Sequence, residues 1–391
     1  MADMSNPPAD PLPATMRAWV YHTATGGIDK TMKLVPDYPI PEHFRTMPSP
    51  PAGKGYAVIV RILATSMNPA DHKVAEMPIL GRFMQKTPAT PCIDFCGRVV
   101  RVKPSPLSSS SSSSSSMVPM LKPGQLVAGM LPPYTQHGAL AEYALAYSEH
   151  IAPVPEGVSV EQAAMLGIGG STAWNGFMPQ IEAARQRNKK TDGGEQLRLF
   201  INGGSGGIGS FIVPMAKAMG CHVTASCSGA NAGLVRDVLG ADDVIDYRTT
   251  DVATALISRA TEAGRPYDMA IDAVGMPFAL YKAADKFLAR GAAFSRIGFD
   301  LALLLDILAI TYRPALLGGG THPSPFVLGG ATTENMSGLM ALIAQGKLHV
   351  PLDGGAVVPF EEAPRAIARI KSHRTQGKIV ARVAEDRRGR M

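Results

Sequence analysis

Four cysteines in 391 residues, Cys92, Cys96, Cys221 and Cys227, are too few and too loosely spaced for a disulfide framework. A reducing compartment fits them, and the cytoplasm is the expected location. Residues 1–16 hold Asp3, Asp10 and four prolines but no lysine or arginine. They lack both the apolar core of a secretory leader and the basic face of a transit peptide. Long apolar runs are missing as well. The most apolar stretch, Phe299 to Leu317, is broken by Asp300, Asp306, Arg313 and Pro314, short of the roughly 18 to 20 apolar residues that a membrane span needs. A buried helix or the lip of an apolar pocket suits it better than a membrane. Charge of one sign is scarce too: the formal net charge is +6, and the basic residues are scattered apart from 185–190 and 387–390. A nucleic-acid face would concentrate them. The composition therefore argues against nucleic acid as a partner and against a membrane span.

What remains is an ordinary globular composition, 46% hydrophobic, in a chain long enough for two domains of roughly 100–200 residues each. Up to about residue 165 the text is strand-like: Arg17–Tyr21, Tyr56–Ile62, Gly97–Val102 and Leu126–Ala128, punctuated by proline and glycine. Nine consecutive serines, Ser108 to Ser116, have no apolar face to bury, so they read as a surface insertion between two neighbouring strands. From Glu161 onward, strand and helix patterns alternate. Strands are expected at Leu197–Asn202, His222–Ser226, Asp243–Ile245, Met269–Ala273 and Ala292–Ile297. Helices are expected at Ile208–Met219, Ala230–Leu239, Val252–Ala260 and Tyr281–Leu288. Alternation at this spacing predicts a parallel, doubly wound α/β sheet. After residue 330 come helices at Met336–Gln345 and Ala363–Ile370 and a closing strand at Lys378–Val383. The expected organisation is a mostly β domain over 1–165, completed by 331–391, with a Rossmann-type domain at 166–330.

Gly204-Ser205-Gly206-Gly207-Ile208-Gly209 follows a predicted strand and opens a predicted helix, the context in which G-x-G-x-x-G carries chemistry. Gly204 permits the tight turn, Gly206 lets the backbone approach a pyrophosphate, and Gly209 lets helix pack on strand. The helix start offers free N–H groups and roughly half a positive charge to the diphosphate. The choice of dinucleotide falls at the end of the next strand, where an acid about 20 residues on would bind ribose hydroxyls. Here Ala225-Ser226-Cys227-Ser228-Gly229-Ala230-Asn231 stands instead, and the next acid is Asp237 within a helix. Hydroxyls and amides of Ser226, Ser228 and Asn231 suit a 2′-phosphate, which favours NADPH over NADH.

Several ordered motifs run along the chain: Ser66-Met67-Asn68-Pro69-Ala70-Asp71-His72-Lys73, Pro91-Cys92-Ile93-Asp94-Phe95-Cys96-Gly97, and Lys122-Pro123-Gly124-Gln125-Leu126-Val127. Then come Gly138-Ala139-Leu140-Ala141-Glu142-Tyr143, Gly170-Ser171-Thr172-Ala173-Trp174, Val244-Ile245-Asp246-Tyr247-Arg248 and Gly377-Lys378-Ile379-Val380. Together they resemble the medium-chain dehydrogenase/reductase superfamily, in its zinc-free quinone oxidoreductase and enoyl reductase branch, over roughly Met16 to Val383. The chain is similar as well to fungal proteins of the zinc-type alcohol dehydrogenase-like group, partly through Leu317-Gly318-Gly319-Gly320. The resemblance implies a GroES-like substrate domain beside the Rossmann domain, and a homodimer. It places Asn68 and Lys73 at the nicotinamide end of the cleft and Thr172 near the nicotinamide-side phosphate. Tyr247 would stand beside the adenosine 2′-phosphate, Ala273, Val274 and Gly275 along the ribose, and Lys378 near the cofactor. The zinc branch uses a cysteine, a Gly-His-Glu segment and a later Cys or Asp. Asn68 to His72 and Pro91 to Gly97 replace the first two regions here, so no metal is expected. Cys92 and Cys96 read as small buried side chains rather than ligands with His72.

The expected activity is hydride transfer from NADPH to the β-carbon of an α,β-unsaturated carbonyl, or to a quinone. Without zinc, the oxygen that gains negative charge needs donors already aimed at it, and Asn68 and Lys73 are the candidates. Lys73, Tyr134 or water would protonate the α-carbon. Three alternatives stay open: an enoyl reductase acting in trans on a carrier-bound acyl chain, a non-redox NADPH-binding module, and a membrane-associated lipid reductase that uses the Phe299–Leu317 segment.

Overall fold

The structure is a computed structural model that describes residues 12–50, 55–103, 120–190, 196–275, 278–297, 321–327 and 329–386. The serine run, the apolar stretch 299–317 and the glycines 318–320 lie outside the described residues. Seven strands come first: β1 (Thr15–Val20), β2 (Lys33–Pro39), β3 (Ala57–Met67), β4 (Asp94–Lys103), β5 (Leu126–Met130), β6 (Tyr143–Tyr147) and β7 (Ile151–Pro153). Six follow: β8 (Arg198–Asn202), β9 (His222–Cys227), β10 (Asp243–Asp246), β11 (Met269–Asp272), β12 (Phe294–Ile297) and β13 (Phe326–Val327). The last two are β14 (Val358–Pro359) and β15 (Ile379–Arg382). The chain divides into two compact units, Met1–Ser171 with Gly330–Ala344 and Leu352–Met391, and Thr172–Gly329 with Gln345–Pro351.

Unit 1 is built around β3. Its eleven residues are buried on both faces except for Arg61, as a strand flanked and covered on all sides must be. β3 pairs antiparallel with β4, β6 and β15, in a sheet ordered β14-β15-β3-β4-β5-β7; β1 and β2 form a separate hairpin. The C-terminal segment belongs to this unit structurally. Its helix Ala363–Lys371 buries Ala363, Ala366, Ile367 and Ile370, each isoleucine contributing roughly 1.5–3 kcal/mol. Farther along, Arg98 holds Asp386 through two hydrogen bonds of 2.9 and 2.6 Å.

Unit 2 carries a six-stranded sheet ordered β10-β9-β8-β11-β12-β13, every neighbouring pair parallel. In unit order that is 3-2-1-4-5-6, the doubly wound arrangement whose ligands bind where the order reverses, here between β8 and β11. Two predicted helices take a different form. Ala230–Leu239 splits into a 3-10 turn, Gly229–Asn231, and a wide turn, Leu234–Val238, because Gly229 and Gly233 cost helix stability at its start. Tyr281–Leu288 begins earlier, as Phe278–Lys282, and ends in a 3-10 turn at Ala284–Lys286.

Candidate functional site

In unit 2, β8 ends at Asn202, and Gly203 turns with a φ of +84°, in the left-handed region that glycine tolerates. The glycines that follow have different surroundings. A Cβ on Gly204 would meet the Ala225 Cβ at 2.9 Å, and one on Gly209 the Gly204 Cα at 2.7 Å. Both positions need glycine for the loop to close on β9 and for the helix Gly209–Ala218 to start against it. A Cβ on Gly206 would meet only the Gly203 carbonyl, at an ordinary 3.6 Å. Glycine there answers no internal demand of the fold, as expected of a position kept clear for an incoming phosphate. The residues present therefore fit a dinucleotide diphosphate at this helix start.

Beneath the loop runs a chain of polar contacts across the switch point. The Gly203 N–H donates to Ser226 Oγ at 3.0 Å, Ser226 Oγ to Asn202 Oδ1 at 2.5 Å, and Asn202 Nδ2 to Asp272 Oδ1 at 2.8 Å. The same Asp272 oxygen accepts the Val274 and Gly275 N–H groups at 3.0 and 3.2 Å. This latch ties the glycine loop to the Ala273-Val274-Gly275 turn. Asn202 and Asp272 escape sequence reasoning because they sit 70 residues apart and meet only through the parallel register of β8 and β11. Ser226, expected at the phosphate, is fully buried and spends its hydroxyl in the latch. Ser228, just past the end of β9, is buried as well, and Asn231 Nδ2 donates to Ser205 Oγ at 3.0 Å. Tyr247 and Val274 are more than half exposed. Asp246, at the end of β10 opposite Cys227, brings a carboxylate to this wall, where a Cβ on Gly229 would run into its Oδ2. A search confined to the end of β9 misses it because it comes from the neighbouring strand. Thr172 is buried at the start of the unit.

In unit 1 the register of β3 gathers a second cluster. Ser66 pairs with Asp94 and Met67 with Ile379. Asn68, Asp94 and Lys378 thus arrive at one edge from three strands, all three at most 3% exposed. Lys378 Nζ donates to Asn68 Oδ1 at 2.5 Å, and Asn68 Nδ2 to Asp94 Oδ2 at 2.8 Å. The Asn68 N–H donates to Asp71 Oδ2 at 2.6 Å. Desolvation, with the Asp94 carboxylate beside it, pushes the Asp71 carboxyl up to about 7. Desolvation also pushes Asp94 up to about 6 against the pull of Lys378, and burial draws Lys378 down. Lys73 is exposed on the short helix Ala70–Lys73. Tyr134 is 54% exposed and takes a φ of +60°. The structure thus buries Asn68 with Lys378 and leaves Lys73 and Tyr134 at the surface.

All four cysteines are buried and unbridged. Desolvation raises the Cys92 and Cys96 thiols, Cys92 further through Asp71 and Asp94. His72 Nδ1 is engaged by Glu76 Oε2 at 3.2 Å. Among the described residues no three His, Cys, Asp or Glu side chains converge as metal ligands. No helix of the described residues is long and apolar enough to cross a membrane.

A reversing parallel sheet with a glycine cradle, joined in one chain to a β unit of this topology, defines a nicotinamide-dependent oxidoreductase. Residues 54–156 match the alcohol dehydrogenase GroES-like domain and residues 239–380 the zinc-binding dehydrogenase family. A trans-enoyl reductase of Aspergillus terreus is 35% identical over 96% of this chain and 99% of its own. A zinc-type alcohol dehydrogenase-like protein of Schizosaccharomyces pombe is 31% identical over 94% of this chain and 96% of its own. The structure of the quinone oxidoreductase from Coxiella burnetii superposes with a TM-score of 0.69 at 22% identity, covering 94% of this chain and 99% of that one. The chain belongs to the medium-chain dehydrogenase/reductase superfamily.

Proposed function

We propose that the protein is a zinc-free, NADPH-dependent reductase of α,β-unsaturated carbonyl compounds or quinones. Unit 2 would hold the dinucleotide, with Ser205, Gly206, Gly207, Ile208 and Gly209 around the diphosphate. Ser228, Asn231 and Tyr247 would take the 2′-phosphate, and Ala273, Val274 and Gly275 the ribose. When bound, the reduced nicotinamide supplies the hydride. The chain's own part is to bear the charge that develops on the substrate oxygen and to return a proton. The observation that carries this reading is the buried Lys378–Asn68–Asp94 cluster, which offers an ammonium donor where, among the described residues, no set of metal-ligating side chains converges. An ammonium has three donors, and Asn68 Oδ1 takes one of those on Lys378. Asn68 is engaged at both ends of its amide, which shifts the oxyanion role from Asn68 toward Lys378. Lys73 and Tyr134 stand as candidate proton donors.

The trans-enoyl reductase name of the Aspergillus relative favours an acyl chain held as a thioester among the possible enones. Turnover of NADPH with enones, 2-enoyl thioesters and quinones tests the proposal. Oxidation of NADPH by none of them would return the chain to the binding-module reading, and activity lost on chelation and regained with zinc would sink the metal-free assignment.

A further inference from the structure

Asp94 lies in a segment that stands in place of the zinc branch's metal ligands, and both of its carboxylate oxygens are engaged. Its Oδ2 accepts from Asn68 Nδ2 at 2.8 Å and its Oδ1 from the Ile168 N–H at 2.6 Å. Ile168 belongs to the wide turn Leu166–Gly170. A Cβ on Gly167 would fall on the same carboxylate oxygen, so glycine lets this turn close over Asp94. On the far side of the amide, Asn68 Oδ1 accepts from Lys378 Nζ at 2.5 Å. An amide offers a donor end and an acceptor end. Asp94 claims the donor end, which leaves the acceptor end for the ammonium; a flipped amide would set donor against donor at Lys378.

We propose that Asp94 is a positioning residue, which through the Asn68 amide fixes where the Lys378 ammonium points and keeps it charged. The groups that face Lys378 are Asp94 at the start of β4, Asp71 on the helix Ala70–Lys73, and Cys92 just ahead of β4; each favours the charged lysine when ionised, against desolvation. Asp94 differs from Asp71 in holding the Asn68 side-chain amide that meets Lys378, whereas Asp71 accepts from the Asn68 backbone N–H. Only the activity arm of the proposal rests on the reductase reading.

The test is NMR of protein labelled at lysine 13Cε, with the Lys378 resonance assigned by its absence in Lys378→Met. Asp94→Asn should lower the Lys378 titration midpoint by about one pH unit or more, the usual scale for loss of a close opposite charge. Asn68→Ala should lower it as well, although the carboxylate remains. An unchanged midpoint in either variant overturns the proposal, and should Asp94→Asn not fold, Asn68→Ala carries the test alone. In steady-state assays the alkaline limb of kcat/KM should move with the NMR midpoint. A limb that stays in place while the midpoint moves overturns the positioning role. A moving midpoint in a protein that reduces no enone or quinone upholds the relay and removes the reductase reading instead.

Discussion

In unit 2 the polar chain under the glycine loop, Gly203–Ser226–Asn202–Asp272, uses backbone N–H groups and neutral side chains with one carboxylate. In unit 1 the Lys378–Asn68–Asp94 chain has an ionisable group at each end of a single amide, with Asp71 beside it. The first arrangement holds a shape, and its chemistry comes from helix N–H groups that cannot titrate. The second holds a charge, and its state depends on how desolvation is balanced among neighbours. Substitutions should therefore act through geometry in unit 2 and through electrostatics in unit 1.

The largest expected effect separates two glycines of one motif. Gly206→Val should abolish NADPH binding, by more than about 100-fold in Kd, with the melting temperature nearly unchanged, since its Cβ has room. Gly209→Val should fail to fold, because its Cβ strikes the Gly204 backbone. Titration by nicotinamide fluorescence beside thermal melts reads both. If Gly206→Val binds NADPH normally, the cradle is misplaced.

Lys378→Met should lower kcat for enone reduction on the order of 100-fold, the scale for removing a donor from a developing oxyanion. A fall in kcat of less than about threefold would leave the charge of unit 1 without a catalytic part.

Cofactor choice should show a smaller effect. Wild type should bind NADPH at least about tenfold more tightly than NADH, close to 1.4 kcal/mol. Asp246→Asn should widen that ratio by removing a carboxylate near a 2′-phosphate. Ser228→Ala should narrow it, and Ser226→Ala should weaken both cofactors alike, because its hydroxyl serves the latch. Equal affinities in wild type would show that this wall does not hold the phosphate.

Stability should respond to pH through Asp71. Its folded value of about 7 lies above the ordinary carboxylate value of 3.8. Between those limits the unfolded chain has released a proton that the folded chain keeps, so stability falls as pH rises toward 7. Asp71→Asn removes that loss and should raise the melting temperature at pH 8 by roughly 2–4 °C relative to its effect at pH 4. A shift of equal size at both pH values would show that Asp71 does not titrate in this window. The smallest change is expected from Tyr134→Phe, less than about threefold in kcat, since an exposed hydroxyl is readily replaced by water. A much larger fall would favour Tyr134 over Lys73 or water as the proton donor.

The parallel sheet was legible in the sequence because its strands and helices alternate locally, and the cradle because its glycines are contiguous. Asn68 and Lys378 could each be matched to a motif, but their contact depends on Met67 lying opposite Ile379, a pairing across 312 positions. Asp94 escaped as a partner for the same reason, and so did Asp272 and Asn202. Ser226 was expected at a phosphate from its place in the strand-end motif, but its hydroxyl is engaged by Gly203 and Asn202, contacts with the preceding strand and turn that motif spacing does not register. Lys73 stands in a matching motif, yet its side chain is exposed, which motif matching does not register.

The pairing of β15 with β3 also orders events during synthesis. Residues 172–329 emerge from the ribosome as a nearly complete unit, with all six strands of their sheet present. The strand that flanks β3 at residues 379–382 is translated after the whole of residues 172–329. Until then the nascent β3 has an open edge of the kind that invites pairing with other chains. The lysine that completes the cluster arrives on the residue just before that strand. The nucleotide unit can therefore close while the protein is still being made, whereas the proposed reaction centre must wait for residue 378.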